Sequence, residues 1–211
     1  IGSSGSRMSA KQPLYLVVSL DVEEEGLFGG RYARRGFSTQ NTASLKDLAP
    51  FCGMGIRPTL FCAHSVLTDP ASCETLAWLR DQHHAEIGAH LHHWNTPPLT
   101  LDGNDHTLPD TAARVPAAAV PTALFSAKLA ALMEAGKALQ GPPLTSFRMG
   151  RWDLHRSHWP LLAAAGILCD ASVRPLHCSS SPESGPDHFD APDNPYWVNA
   201  GQSPIFEVPL T

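Results

Sequence analysis

Two histidines separated by one residue stand at the end of an apolar segment, in Glu86-Ile87-Gly88-Ala89-His90-Leu91-His92-His93-Trp94. Because strand side chains alternate between two faces, His90 and His92 are predicted to point the same way. A second apolar segment, far upstream, ends in the carboxylate group Asp21-Val22-Glu23-Glu24-Glu25. Two histidines and a carboxylate are the usual protein ligands of a hydrolytic zinc site, and water takes the fourth position. Together the two segments predict a site for a divalent metal ion, with zinc as the expected ion.

Each part of this pattern also has an ordinary structural explanation. A run of carboxylates is often a solvated turn, and a pair of histidines often lies in a core without any ligand. The metal site explains the carboxylates better, because a buried strand precedes them and packed like charges repel unless a cation is nearby. Arg148 could form a simple ion pair at a strand end, and Asp170 could cap the following loop.

The composition is that of a soluble globular domain, with 43% hydrophobic and 17% charged residues among 211. A net charge of -5, with no basic run between aromatic residues, argues against a nucleic-acid partner. Five cysteines, an odd number at irregular spacing, predict reduced thiols rather than a disulfide framework. No apolar run reaches the ~18 residues that a membrane span needs, and no signal peptide is recognisable. We therefore expect a cytoplasmic protein, unless a leader has been removed.

Strands and helices are predicted to alternate along the chain, which is typical of parallel βαβ units. Residues 1–7 are expected to be an added linker, and 8–211 a single catalytic domain. Strands are predicted over 14–20, 56–63, a segment ending at His90, 144–149, 167–169 and 205–209. A first helix is predicted to end at Gly53, and a second to run from a cap at Asp69 to about His83. A third is predicted to run from a cap at Thr122 to Leu139, and a fourth to span 160–165. The segments 95–121 and 172–203 are predicted to be irregular, and the first could be a lid or a substrate-facing loop.

Four polar side chains fall at the carboxyl ends of these predicted strands, namely Asp21, His90, Arg148 and Asp170. In α/β barrels that edge of the sheet is the working face. The sequence therefore predicts an α/β fold with one functional site at this edge.

Five segments in this order resemble the motifs of the polysaccharide deacetylase family, whose members adopt a deformed (β/α) barrel. The first motif of the family usually reads T-F-D-D-G, and Ser19-Leu20-Asp21-Val22-Glu23 occupies its place. The resemblance gives Asp21 the role of general base. The second carboxylate of the motif binds the metal, but here Val22 fills the position next to Asp21. In some relatives the two acids are one residue apart, and on that pattern Glu23 is the metal ligand. Glu24 and Glu25 remain alternatives.

The second motif of the family usually reads H-[S/T]-x-x-H, but Trp94 stands four residues after His90. The H-x-H pair makes His92 the second histidine ligand, with His93 as the fallback. This His-Leu-His-x-Trp variant resembles a bacterial branch that is associated with lipopolysaccharide or cell-surface sugar genes.

The third motif supplies an arginine beside the base, which matches Arg148, and the fourth supplies an aspartate, which matches Asp170. The resemblance gives both a place in the catalytic site. Residues 207–211 resemble the strand that precedes the fifth motif, whose histidine is the general acid. The chain ends before that motif. Either it is a fragment, and the barrel is expected to be incomplete at its C-terminus, or another group such as His177 or His188 substitutes for the missing histidine.

The resemblance implies a metal-dependent hydrolase that removes an N-acetyl or N-formyl group from an amino sugar of a cell-surface glycan or its precursor. Asp21 would take a proton from the metal-activated water, and Arg148 would keep Asp21 ionised and oriented. Trp94, Arg151 and Trp152 are the candidate substrate-binding residues. Two alternatives stay open: an amide hydrolase for a small nitrogenous compound, and a catalytically silent carbohydrate-binding relative. The oligomeric state is not predicted.

Overall fold

The computed structural model describes residues 15–178, 185–201 and 203–210. Seven strands form one sheet with the order β1-β2-β3-β4-β5-β7-β6. The strands are β1 (Ser19–Val22), β2 (Thr59–Ala63), β3 (Glu86–Leu91), β4 (Ser146–Met149), β5 (Cys169–Asp170), β6 (Tyr196–Val198) and β7 (Ile205–Glu207). All neighbours are parallel except β6 and β7. The predicted α/β fold is confirmed, and the sheet that the described ranges form is open, with β1 and β6 at its edges.

Five α-helices accompany the sheet within the described part of the chain. They are α1 (Ala49–Gly53), α2 (His64–Leu67), α3 (Pro70–His83), α4 (Thr122–Gln140) and α5 (Trp159–Ala164), and a 3-10 helix (Gln40–Leu48) precedes α1. None of these helices combines the length and the apolar character that a membrane crossing requires. The five cysteines are free, as predicted.

Helix α3 shows how closely local signals can determine an element. The Asp69 carboxylate accepts a hydrogen bond from the backbone N–H of Ser72 at 2.8 Å, and Pro70 follows at the first helical position. At the other end His84 adopts a left-handed conformation with φ 57°, which stops the helix. The predicted helix is confirmed. The prediction that Thr122 caps α4 is wrong, because Pro121 occupies the cap position and Thr122 is already helical.

The core lies between the sheet and helices α3 and α4, and β3 runs through its middle. Every residue of β3 after Glu86 is buried, and α4 packs against this strand. Burial of each large apolar side chain stabilises the fold by about 1.5–3 kcal/mol. Gly88 is required in β3, because a Cβ atom there would lie 2.7 Å from the ring of Phe61 and 2.6 Å from the Ser146 hydroxyl. This tight packing fixes the strand that carries the two histidines.

Two strands differ clearly from their predicted ranges. The first was expected over 14–20, but β1 begins at Ser19, where pairing with Thr59 starts, and residues 15–17 are exposed. Leu14 lies outside the described residues. The strand expected over 167–169 is reduced to β5, because only Cys169 and Asp170 find partners on both sides.

Strand β6 lies inside the segment 172–203, which was predicted to be irregular throughout. The strand has three residues and pairs with β7 alone, in antiparallel register. So short a segment has no recognisable alternation of apolar and polar residues, and its position depends on β7. The expected count of six strands was therefore one too low.

The segment between β3 and α4 contains no strand or α-helix, as predicted, but it is anchored near its start and in its middle. The buried Lys128 ammonium of α4 donates to the carbonyl oxygens of Thr96 and Pro98. Farther along, the Arg35 guanidinium donates to the Leu108 carbonyl at 3.2 Å and forms an ion pair with Asp110 at 2.9 Å. These contacts hold the loop beside the carboxyl edge of the sheet.

Candidate active site

Three of the predicted metal ligands meet at the carboxyl edge of the sheet. Glu23 follows β1, His90 belongs to β3, and His92 stands just beyond the end of β3. The Nε2 atoms of His90 and His92 lie 3.1 and 3.0 Å from the same Oε2 atom of Glu23. The three ligand atoms lie within 4.8 Å of one another, and both histidine rings are buried. This group could hold a metal ion.

The hydrogen bonds of the two rings show that the donor set fits a cation. His90 Nδ1 is 3.0 Å from the Arg148 carbonyl oxygen, and His92 Nδ1 is 3.0 Å from a carboxylate oxygen of Glu24. Both partners can only accept, so each Nδ1 carries a hydrogen and each ring turns its Nε2 atom toward Glu23. If both rings are neutral, two Nε2 lone pairs and a carboxylate oxygen face one another and repel, unless a proton or a metal ion supplies positive charge between them.

The electrostatics of the site favour positive charge in the same way. Burial alone would raise the pKa of Glu23, but the hydrogen bonds and charges of His90 and His92 lower it to about 2. Burial alone would lower the pKa of His92, but the charge of Glu24 and hydrogen bonds with both glutamates raise it to about 9. A divalent cation held by two imidazoles and a carboxylate would satisfy the same preference.

Glu24 is a supporting residue rather than a third carboxylate at the metal position. One oxygen of this buried side chain accepts from His92 Nδ1 and from the Asn95 amide, and the other accepts from the Ser65 hydroxyl at 3.0 Å. A carboxylate in this position fixes the tautomer and the orientation of a metal-binding histidine. Glu25 instead accepts from the backbone N–H of Asn41 at 2.8 Å. Among the three glutamates, the geometry favours Glu23 as the ligand.

Val115 and Gly150 explain why His92, and not His93, faces Glu23. His93 Nε2 lies 3.1 Å from the Val115 carbonyl, and burial lowers the pKa of this ring to about 3. His92 enters a space left open by Gly150, where a Cβ atom would lie 2.5 Å from the His92 ring. The fallback assignment of His93 is not supported by this arrangement.

Asp21 shares a pocket with Glu23 and His92 and is held by Arg148, as predicted. The Arg148 guanidinium donates to Asp21 Oδ1 at 2.7 Å, to the Ser19 hydroxyl at 2.7 Å and to the Ala171 carbonyl at 2.9 Å. Its central carbon lies 4.4 Å from the centre of the Phe61 ring. Arg148 is 4% exposed, whereas the Asp21 side chain is 21% exposed and lines the pocket. The buried arginine thus fixes the orientation of a carboxylate that solvent can reach.

Asp170 lies beneath this site and is not among the residues that line the pocket. Its side chain is fully buried, and it accepts from the Ser172 hydroxyl at 2.6 Å and from the indole N–H of Trp159 at 3.1 Å. Glu207 is its neighbour on β7, and burial together with the charge of Asp170 raises the pKa of Glu207 to about 11. Burial also raises the pKa of Asp170. The pair therefore retains a proton, and a catalytic role for Asp170 stays a prediction.

A pocket of about 360 Å³ opens over Asp21, Glu23 and His92, and the three candidate substrate-binding residues line it. Trp94 stacks on the His92 ring at 4.2 Å between ring centres, so it shields the ligand as well as facing the pocket. Arg151 and Trp152 follow β4 in left-handed conformations, with φ 60° and 55°. The structure thus brings these residues together, and their contact with substrate stays a prediction.

Five further residues line the pocket that the sequence did not indicate: Leu27, Tyr32, Arg114, Arg174 and Cys178. They come from irregular segments, whose path no local pattern predicts. Of the two histidines considered as general acid, His177 lines the pocket. His188 lines a separate cavity and accepts a hydrogen bond from the backbone N–H of Arg174 at 3.2 Å. His177 is therefore the better placed of the two.

Comparisons with known proteins establish the class of fold. Neither a protein-family model nor a curated protein matches the sequence. The structure is similar to that of a proposed polysaccharide deacetylase from Mycobacterium smegmatis, with 15% identity and a TM-score of 0.57. This match covers 97% of the chain and 64% of the other protein. The chain thus has the α/β fold seen in a protein assigned to the deacetylases, and identity this low establishes the fold alone.

A second similar structure is the 4-alpha-glucanotransferase from Thermococcus litoralis, with 14% identity and a TM-score of 0.54. The match covers 92% of the chain and 27% of that protein. The same fold thus occurs in a protein with a different named activity. The particular function of this chain has to be argued from its own site.

Proposed function

We propose that the protein is a metal-dependent hydrolase that removes an N-acetyl or N-formyl group from an amino sugar of a cell-surface glycan or its precursor. The observation that carries the proposal is the meeting of Glu23, His90 and His92 within 4.8 Å, beside the carboxylate of Asp21. The fold of the Mycobacterium smegmatis protein supports the same class of reaction. Zinc is the proposed ion. The bacterial branch, the cytoplasmic location and the domain limits stay predictions.

Glu23, His90 and His92 would hold the ion, which supplies a nucleophilic water at neutral pH and polarises the amide carbonyl. Arg148 occupies Oδ1 of Asp21, so Oδ2 is the oxygen that accepts the proton of the attacking water. Glu24 keeps the Nδ1–H of His92 engaged and thereby directs Nε2 toward the site. His177 is the candidate donor of a proton to the leaving amine.

The proposal is tested by the release of acetate or formate from N-acylated amino sugars after reconstitution with zinc. Asp21→Asn is expected to lower kcat by about 100-fold or more, because the side chain can no longer accept a proton. The zinc content of this variant should remain stoichiometric, since Asp21 is not a ligand. Asp47→Asn is the matched control, because Asp47 is an exposed aspartate on the 3-10 helix before α1.

Three outcomes would contradict the proposal in different ways. Failure to bind stoichiometric metal would favour a silent carbohydrate-binding relative. Metal binding with acid release only from small non-sugar amides would favour the alternative amide hydrolase. Full activity of Asp21→Asn would remove Asp21 from the role of base.

A further inference from the structure

Three arginines line the same pocket as Asp21 and Glu23, namely Arg114, Arg151 and Arg174. The lining has three guanidiniums and two carboxylates, and the buried Asp153 carboxylate, which does not line the pocket, interacts electrostatically with Arg151 and Arg114. Asp21 is already paired with Arg148 beneath the pocket, and a divalent ion would add two further positive charges. A neutral amino sugar offers no group that would match this surplus charge.

Aromatic rings support two of these guanidiniums. The central carbon of Arg174 lies 4.5 Å from the centre of the Trp152 ring, and that of Arg151 lies 5.3 Å from the centre of the Tyr32 ring. Stacking on a ring holds a guanidinium plane in place and directs its N–H donors away from the ring. The Arg151 guanidinium also donates to the Val115 carbonyl at 3.2 Å, which further limits its motion.

Arg174 also has a polar atom that requires an acceptor. Its Nε atom is buried and has no hydrogen-bond partner among the described residues. Burial lowers the pKa of Arg174, and it lowers the pKa of Arg151 more than the charges of Tyr32 and Asp153 raise it. A buried guanidinium N–H without an acceptor is unfavourable. Because Nε is enclosed, an anionic ligand in the pocket would be bound by the terminal N–H groups of Arg174 instead.

We infer that the substrate carries a phosphate group, which Arg114, Arg151 and Arg174 bind while the N-acyl group lies over Glu23, His90 and His92. A phosphate offers three or more oxygens and up to two negative charges, whereas one bidentate arginine already satisfies a carboxylate. The cavity of about 360 Å³ is at the small end of the range for ligand pockets, which suits a phosphorylated amino sugar. This inference deepens the proposed function and rests on it.

The test compares the binding of N-acetylglucosamine 1-phosphate, N-acetylglucosamine and glucuronate to the full chain by calorimetry. The measurements are made with and without zinc, so that direct metal coordination of phosphate can be separated from binding by the arginines. We expect the phosphorylated sugar to bind at least about tenfold more tightly than either other ligand, also without zinc, and to lose affinity as salt is raised.

Arg174→Gln and Arg114→Gln should each remove most of this phosphate preference, while the affinity for the neutral sugar stays the same. Arg114 is exposed, so its variant is expected to fold even if Arg174→Gln does not. Arg57→Gln is the matched control, because Arg57 is exposed and precedes β2, at the opposite end of the strand from the site. Unchanged preference in a folded Arg174→Gln or Arg114→Gln protein would overturn the inference, and equal binding of glucuronate would overturn the assignment of phosphate.

Activity measurements on the same ligands separate this inference from the proposed function. Phosphate-dependent binding without release of acetate or formate from any N-acylated sugar would support the anion site and contradict the hydrolase. Release of acetate from the neutral sugar, with no gain from the phosphate and no effect of the arginine variants, would support the hydrolase and contradict the anion site.

Discussion

Replacing Glu24 tests the central geometry of the site without removing any proposed ligand. In Glu24→Gln, the amide oxygen can still accept from His92 Nδ1 and Asn95, while the new NH2 group faces the Ser65 hydroxyl, which can accept. The substitution removes the negative charge of Glu24. A hydrogen bond to a charged group contributes about 1.5–3 kcal/mol and a neutral one about 1 kcal/mol, so the expected loss is about 0.5–2 kcal/mol. At 1.4 kcal/mol per factor of ten, zinc affinity should fall about tenfold.

Glu24→Ala should have a larger effect, because three donors then lose their acceptor inside the protein. We expect zinc affinity to fall about 100-fold, at the upper end for residues that orient a metal-binding histidine. The metal-free protein should also unfold at lower urea concentration, since buried unpaired donors each cost about 1–3 kcal/mol. Competition with a chromogenic chelator gives the affinity, and urea titration gives the stability.

Glu25→Gln is the matched control, because Glu25 is the next residue, is exposed and accepts only from the backbone of Asn41 among the contacts described. It should bind zinc as the unmodified protein does. If Glu24→Gln and Glu24→Ala also bind zinc with unchanged affinity, then His92 does not need Glu24 for its orientation. The assignment of His92 Nε2 as a ligand would then lose its main support.

Three further predictions concern stability, and urea unfolding checks each of them. Lys128→Met should lower the free energy of unfolding by about 2–4 kcal/mol, because the buried Thr96 carbonyl and the partly buried Pro98 carbonyl lose their donor. Lys137→Met on the exposed side of the same helix should change it by less than about 0.5 kcal/mol. Equal effects would contradict the anchoring role. Glu207→Gln should change stability at pH 7 by less than about 1.5 kcal/mol, since the group is already protonated, and a loss above about 3 kcal/mol would show that it is ionised. Burial, aided by the charge of His155, lowers the pKa of His158 to about 4, so the folded state resists protonation that the unfolded state accepts. Stability should therefore fall as pH drops from about 6.5 to 4, and His158→Asn should reduce that slope by up to about 1.4 kcal/mol per pH unit; an unchanged slope would contradict the shift.

The fold was predictable where the sequence carries strong local signals. The Asp69-Pro70 cap and the apolar run that ends at His90 each have a period or a boundary that determines the element. Strands β5 and β6 lacked such signals, because two or three residues show no period and become strands only by pairing with β7. Their positions follow from tertiary contacts rather than from local preference.

The placement of the site followed from the alternation of strand side chains. Val22 is buried between Asp21 and Glu23, so these two carboxylates share one face, and His90 and His92 do the same two strands away. Because the strands are parallel, their carboxyl ends lie at one edge of the sheet, and the four side chains meet there. The role of Glu24 could not be predicted, because the same alternation places it on the face of Val22. Its contact with His92 depends on the turn of the chain after β1.

Arg148 connects the two halves of the candidate site through different parts of one residue. Its carbonyl oxygen accepts from His90 Nδ1 and so orients a proposed metal ligand, while its guanidinium holds Asp21, the proposed base. Both contacts depend on the register that places Arg148 opposite His90 on β3 and β4. A shift of one residue would turn the arginine to the other face of the sheet and break both contacts at once. The hydrogen bond from Arg148 to the Ala171 carbonyl ties this register to the end of β5, which explains how a strand of two residues can still position the site.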